Sequence, residues 1–251
     1  MAAELALAVT HVHRSAVEAD KQRLDELAER ILTALAPLSF ATAGSPGQVD
    51  AVPRMRYECV VEMGWAAPED YPDGRERDEY DDEAIHVVAR DAGDIVGSLR
   101  LVLPSAGRLL PTERDFGIRV EPPGDALEGG RIVVPRRYRL GRSHRLIAGL
   151  FARSWLVARS LSFDRAISVA APNLVDLYRS LGVRVRVCSA PRGRTGASSA
   201  RPSSSAGRTT PSRPYEGGCS AHHLQTSVGP RPVVTLTAGG TAGTIRPAGR
   251  R

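Results

Sequence analysis

The chain has 251 residues, 42% of them apolar but only 5% aromatic, enough for one large core built mainly from Val, Leu, Ile and Ala. No run of about 18 apolar residues is present, so no membrane span is expected, and the first twenty residues lack the basic start and cleavage pattern of a secretory signal. The formal charge of +6 does not point to nucleic acid, because residues 190–251 hold nine arginines against one acid, Glu216, and the rest of the chain carries 25 bases against 27 acids.

Residues 4–36 read as a helix, with Leu24, Leu27, Ile31 and Leu35 at helical spacing and acids and Arg30 between them. Pro37 marks its end, and the segment reads as a packing or dimerisation extension over residues 1–37 with no visible chemistry. A short strand is expected over Leu38–Ala43, a turn at AGSPGQ, and a second helix over Val49–Gly64 that contains Pro53. Residues 66–82 are acidic and irregular, a long loop of the kind that often carries function.

A hairpin follows, Ala84–Arg90 and Ile95–Leu103 joined by Asp91–Asp94. Arg131–Val134 is a further short strand, and Leu146–Leu161 a strong helix preceded by the loop Arg139–Ser143. Ala166–Ala170 reads as a strand, Asn173–Leu181 as a helix closed by Gly182, and Val183–Val187 as the last strand. An antiparallel hairpin followed by alternating strands and helices predicts an α/β sandwich over residues 38–188 rather than a doubly wound sheet.

After Cys188 the composition changes to Ser, Arg, Gly and Pro, which predicts a disordered tail over residues 189–251, Val233–Leu236 being its only apolar run. A reading-frame shift near codon 188 would produce such a break and would leave the sheet without a closing strand. Three cysteines, Cys59, Cys188 and Cys219, without metal-ligand spacing, predict free thiols in a reducing cytoplasm and no bound metal. His222-His223 falls in the tail and is not read as a metal site.

The chemistry rests on five ordered segments: Arg56 to Trp65 (RYECVVEMGW), Asp78 to Asp81 (DEYD), Gly97 to Leu101 (GSLRL), Leu109 to Phe116 (LLPTERDF) and Glu128 to Val134 (EGGRIVV). In this order they resemble the autoinducer (N-acyl-homoserine-lactone) synthases of the GNAT superfamily. The resemblance implies a GNAT-like three-layer α/β/α sandwich with a mixed central sheet. It also implies transfer of an acyl group from acyl carrier protein or coenzyme A to an amine, S-adenosylmethionine in the synthases and other amino acids in related enzymes. Arg56, Trp65, Asp78, Asp81, Arg100, Phe116, Glu128 and Arg131 stand at the positions that match the family's functional residues. Val60 and Leu127 replace aromatic residues of the pattern, and nine residues separate Leu101 from Pro111, so the identity of the amine stays open.

The expected chemistry needs a base for the attacking amine, a role suited to Glu128, and donors for the oxyanion of the thioester. Arg139, Gly141, Arg142 and Ser143 precede a helix whose N-terminus would suit a pantetheine phosphate. The strict Arg/Gln-x-x-Gly-x-Gly/Ala pattern of acetyl-coenzyme A enzymes is absent there. A GNAT acetyltransferase and a non-catalytic relative are the competing readings.

Plainer roles exist for each residue. Asp78 and Asp81 would be solvated acids balanced by Arg75 and Arg77, Glu128 and Arg131 a structural ion pair, Trp65 a core residue and His86 a structural one. His144, at a helix start, is a lesser donor-site candidate, and Cys59 would be an inert buried thiol.

Overall fold

The computed structural model describes residues 2–170, 172–188, 233–237 and 245–247. Helix α1 (Ala2–Ala34) ends ahead of Pro37, and strand β1 (Ser39–Thr42) follows. Helix α2 (Pro46–Glu62) starts three residues earlier than its apolar pattern, because Ser45 caps it and its hydroxyl accepts the Gln48 N–H. Pro53 is tolerated within it. The hairpin is β2 (Ile85–Asp91) and β3 (Asp94–Val102), turning on Ala92 and Gly93, both at positive φ.

Helix α3 (Pro111–Phe116) and strand β4 (Ile118–Val120) have no counterpart in the sequence reading, being too short to show a period. Strand β5 (Leu127–Val133) begins four residues before its apolar run, since Glu128-Gly129-Gly130 conceals it. Helix α4 (Arg139–Ser160) begins seven residues before the expected Leu146, so the loop expected at Arg139–Ser143 is its first turns. Then come β6 (Arg165–Val169), α5 (Pro172–Ser180), β7 (Arg184–Cys188), β8 (Val233–Thr237) and β9 (Ile245–Pro247).

Seven strands form one mixed sheet in the order β1-β2-β3-β5-β6-β8-β7, parallel only between β5 and β6. Strand β8 lies between β6 and β7 and pairs antiparallel with both along its full length. This corrects the expectation of a tail without structure and of a sheet lacking its closing strand: residues 233–237 supply that strand, and β9 pairs with β4. The rest of the tail, with His222-His223, lies outside the described residues.

Side chains alternate across a strand, so the sheet has two chemically distinct faces. Leu99 and Leu101 of β3 and Leu127 of β5 meet Leu146, Leu150 and Val157 of α4. Phe40 of β1 packs into the same cluster, its ring over Gly149 of α4. The opposite residues, Arg100 and Val102 of β3 with Ile167 of β6, face Tyr80, Leu110 and α3. Helices α1, α4 and α5 thus cover one face and α2 and α3 the other, the three layers expected. Among the described residues no helix is long and apolar enough to cross a membrane.

Candidate active site

Five of the eight residues that match the family pattern converge behind α2. Arg56 of α2 is 1% exposed, and its guanidinium meets Asp81 Oδ1 at 2.7 Å and Glu76 Oε2 at 2.8 Å. Arg100 of β3 reaches Asp78 Oδ1 at 2.6 Å and Asp81 Oδ2 at 3.0 Å. Arg131 of β5 donates to Asp78 Oδ2 at 2.6 Å and is ion-paired with Glu76. Three guanidiniums and three carboxylates therefore neutralise one another out of water, the condition under which buried charge is tolerated. Local turns complete the loop, where Asp81 Oδ2 accepts the Asp78 N–H at 2.8 Å and Asp78 Oδ1 accepts the Tyr80 N–H at 2.9 Å.

Burial pushes the Asp78 carboxyl up. Burial also acts on Asp81, but Arg56, Arg100 and the Asp78 N–H outweigh it and hold that carboxyl below the usual range. The reading of Asp78 and Asp81 as solvated acids balanced by Arg75 and Arg77 is corrected: Arg75 pairs with Asp50 and Arg77 with Asp73. Glu76 is the partner that sequence reasoning missed. Its signal was charge balance, since three buried arginines require a third acid beside Asp78 and Asp81. His86, read as structural, is buried on β2 with Nε2 at 3.2 Å from the Asp81 carbonyl oxygen, and burial lowers its pKa.

Arg131 joins this network by a parity change in β5. Glu128 pairs with Val102, and Gly130 with Arg100, so residue 131 would fall on the α4 face by simple alternation. The register then shifts: Val133 faces Ser98, leaving one extra residue in β5. Arg131 takes up that residue at φ 48°, an uncommon conformation for a side chain larger than glycine. Downstream parity is reversed, with Ile132 against the α4 cluster and Val133 against Met55 and Cys59 of α2.

Glu128 and Arg131 do not form the ion pair that was one reading of them. The Glu128 carboxylate instead accepts the Thr112 N–H and the Thr112 hydroxyl, each at 2.8 Å. Burial pushes its pKa up to about 7, against the opposing pull of the two Thr112 bonds and Arg100. Thr112 sits in the first turn of α3, so the Pro-Thr segment of the sequence pattern lands directly on the proposed base.

Glu128 also marks the point at which the sheet opens. Parallel pairing of β5 with β6 covers only Leu127 with Ala166 and Glu128 with Ile167. Both strands continue, β5 to Val133 and β6 to Val169, without further pairing between them, so a notch begins at Gly129 and Ser168. On the α4 face, Gly129 and Ser168 line a cavity of about 140 Å³ whose other walls are almost wholly apolar, among them Leu99, Leu127, Phe151 and Trp155. The carboxylate of Glu128 lies on the opposite face. The notch thus joins an apolar chamber to a buried acid with an elevated pKa.

The remaining expected residues lie outside this convergence. Trp65 is half-buried in the bend after α2, its backbone N–H donating to the Val60 carbonyl at 2.8 Å. Phe116 ends α3 and packs in the cluster with Tyr80 and Ile118. The Arg139 guanidinium donates to the Val134 carbonyl at 2.8 Å, which ties the start of α4 to the end of β5. Gly141, Arg142 and Ser143 form the next turn of that helix, and His144 after them is exposed. The Cys59 thiol is buried and pushed up to about 11, so it is no nucleophile near neutral pH. Among the described residues no group of three or more His, Cys, Asp or Glu has the geometry to hold a metal ion.

Residues 55–148 match the family model described as acetyltransferase (GNAT) domain. No curated protein matches the sequence. Among solved structures, TofI, in a ternary complex with an inhibitor and MTA, has a TM-score of 0.52 at 21% identity, over 82% of this chain and 93% of that one. The AHL synthase LasI has a TM-score of 0.50 at 13% identity, over 82% and 92%. MesI, a CoA-dependent acyl-homoserine lactone synthase, has a TM-score of 0.50 at 19% identity, over 82% and 90%. Residues 55–148, which include β5 but not β6, are thus similar to a GNAT domain, and the chain shares its fold with these three solved structures.

Proposed function

We propose that the protein is an N-acyltransferase that moves a medium-length acyl group from a coenzyme A or acyl-carrier-protein thioester to the amine of an amino-acid-like acceptor, S-adenosylmethionine being the first candidate. The observation that carries this reading is Glu128, buried at the mouth of the notch with its pKa pushed up to about 7. A carboxylate of that basicity takes a proton from an attacking amine near neutral pH.

The acyl chain enters the apolar chamber on the α4 face and the thioester carbonyl lies in the notch. The amine approaches from the Glu128 side and attacks the carbonyl carbon. Glu128 receives the amine's proton, the carbon–sulfur bond breaks as the amide forms, and Glu128 passes that proton to the departing thiolate, which is released as the thiol. A backbone N–H of β5 that faces the notch just beyond Glu128 is the candidate for holding the oxyanion. The uncapped N-terminus of α4 at Arg139 is the candidate for the pantetheine phosphate. Arg56, Asp78, Asp81, Arg100 and Arg131 shape the acceptor side, where Arg100 Nε is a buried donor without a partner among the described residues and is suited to an acceptor carboxylate. Trp65 and Phe116 are the further acceptor-side candidates that the sequence resemblance names. The cytoplasm is the expected location, in keeping with the free buried thiol of Cys59.

An acetyltransferase reading is disfavoured by the chamber. An apolar cavity of about 150 Å³ holds a benzene-sized ligand, so about 140 Å³ has room for roughly six carbons where acetyl needs one. The test is mass spectrometry of products from purified protein incubated with acyl thioesters of graded length and a panel of amines that includes S-adenosylmethionine. The reading requires an acylated amine from a medium-chain donor and its loss in Glu128→Gln. No acylated amine from any combination refutes it, and a preference for acetyl selects the alternative.

A further inference from the structure

We infer that α1, which precedes the segment matched by the family model, is the wall of the acyl chamber that measures chain length, with Leu27 and Ile31 as the measuring residues. The inference rests on the acyltransferase reading of the same chamber. Leu24, Leu27, Ala28 and Ile31 all line the cavity. They fall at positions i, i+3, i+4 and i+7, a single apolar stripe of the helix. Leu24 and Ala28 are buried, whereas Leu27 and Ile31 are only half-buried and therefore border the open part of the chamber.

The flanks of the same helix fix the height of this wall. Asp25 accepts the Trp155 Nε1–H at 2.7 Å and lies 3.3 Å from the Arg159 guanidinium. Lys21 meets Asp164 at 2.7 Å, and Asp20 meets Arg184 at 3.1 Å. These contacts tie α1 to α4, to the start of β6 and to β7, on three sides of the cavity. Trp155 itself lines the chamber, so the Asp25 bond holds a second wall residue in place. Sheet residues Leu99, Leu101 and Leu127 are packed into the main core and cannot change without disturbing it. Among the described residues Leu27 and Ile31 lie in none of the buried clusters, so their size is free to set the depth available to an acyl chain.

The test compares the full-length wild type with Leu27→Trp, Leu27→Ala and Ile31→Ala on butanoyl, hexanoyl, octanoyl and decanoyl thioesters, each on coenzyme A and on acyl carrier protein. Binding is read from the fluorescence change on adding donor without acceptor, and turnover from thiol release with acceptor present. Thermal melting establishes that each variant is folded. Leu27→Trp is expected to lower the ratio of long-chain to short-chain kcat/KM by about 10-fold or more, and the two alanine variants to raise it, in line with 10–200-fold per methylene in an apolar pocket. Ile31→Ala keeps the inference testable if the Trp variant is unfolded. A wild type with a length optimum that folded variants leave unchanged overturns the inference and spares the acyltransferase reading. A wild type that neither binds nor turns over any donor overturns both.

Discussion

Replacing Glu128 by Gln separates the cost of burying a charge from the rest of the site. The carboxyl has an ordinary value of 4.5 and a folded value of about 7, because burial outweighs its two Thr112 bonds. The sign follows from proton binding. Below pH 4.5 the group is protonated in both states, and Glu and Gln are equivalent. Between 4.5 and 7 only the unfolded chain releases the proton, so stability falls by about 1.4 kcal/mol per pH unit. Above 7 both states are ionised, and the loss is complete at about 3 kcal/mol. Gln keeps an oxygen for the Thr112 N–H and offers its amide to the Thr112 hydroxyl, but it has no proton to lose.

The stability of Glu128→Gln relative to wild type is therefore expected to rise by about 3 kcal/mol between pH 4.5 and pH 8, which for a chain of this size is roughly 6–12 °C in Tm. Urea titrations of both proteins across that range measure it. The same substitution removes about 10²–10⁴-fold of acyl transfer, and wild-type kcat/KM rises with pH through about 7 as the base loses its proton. Stability curves for the two proteins that stay parallel from pH 4.5 to 8 refute the elevated carboxyl, and with it the assignment of Glu128 as base.

Arg100→Met is expected to destabilise the fold by about 3–5 kcal/mol, since it leaves Asp78 and Asp81 under-compensated in a buried network; chemical denaturation measures this. Gly149→Ala reverses the usual gain of about 1 kcal/mol for alanine in a helix, because a Cβ there lies 2.2–2.6 Å from three ring atoms of Phe40. A net loss of about 1–3 kcal/mol is expected, with recovery in Gly149→Ala/Phe40→Leu, both read from thermal melts. Deleting residues 230–251 removes β8 and leaves β6 and β7 without their shared partner, so the shortened chain is expected to lose cooperative unfolding as followed by circular dichroism.

Much of the frame was legible because it is periodic. The stripe Leu24, Leu27, Ile31, Leu35 and the alternating hairpin of β2 and β3 each declare their element over enough residues to be read. Elements that break their period were hidden. Glu128-Gly129-Gly130 masks the first half of β5, and α3 is six residues of mostly polar character held by Glu113, whose carboxylate caps its own helix at Leu110. The position of β8 was illegible for another reason: a run of five apolar and β-branched residues announces a strand, but not that it inserts between two strands from earlier in the chain. The site shows the same division. The resemblance selected Arg56, Asp78, Asp81, Arg100, Glu128 and Arg131, whereas Glu76 is one acid among several in a charged loop, and only the packing decides which acid goes inside.

The two faces of the sheet explain why the bulge in β5 lies where it does. Regular alternation from Glu128 would carry Arg131 into the chamber with Leu127 and Gly129, placing a guanidinium among Leu99, Leu101 and Phe151. A charge there would lie in an almost wholly apolar cavity away from Asp78 and Glu76. One extra residue, taken up by Arg131 at φ 48°, moves that charge to Asp78 and Glu76 on the opposite face and returns Ile132 to the apolar one. The strain at one residue is offset by keeping each face chemically pure over the rest of the strand. A bulge placed after Arg131 would leave that charge in the chamber, so the extra residue has to come at or before Arg131 to keep the two faces apart.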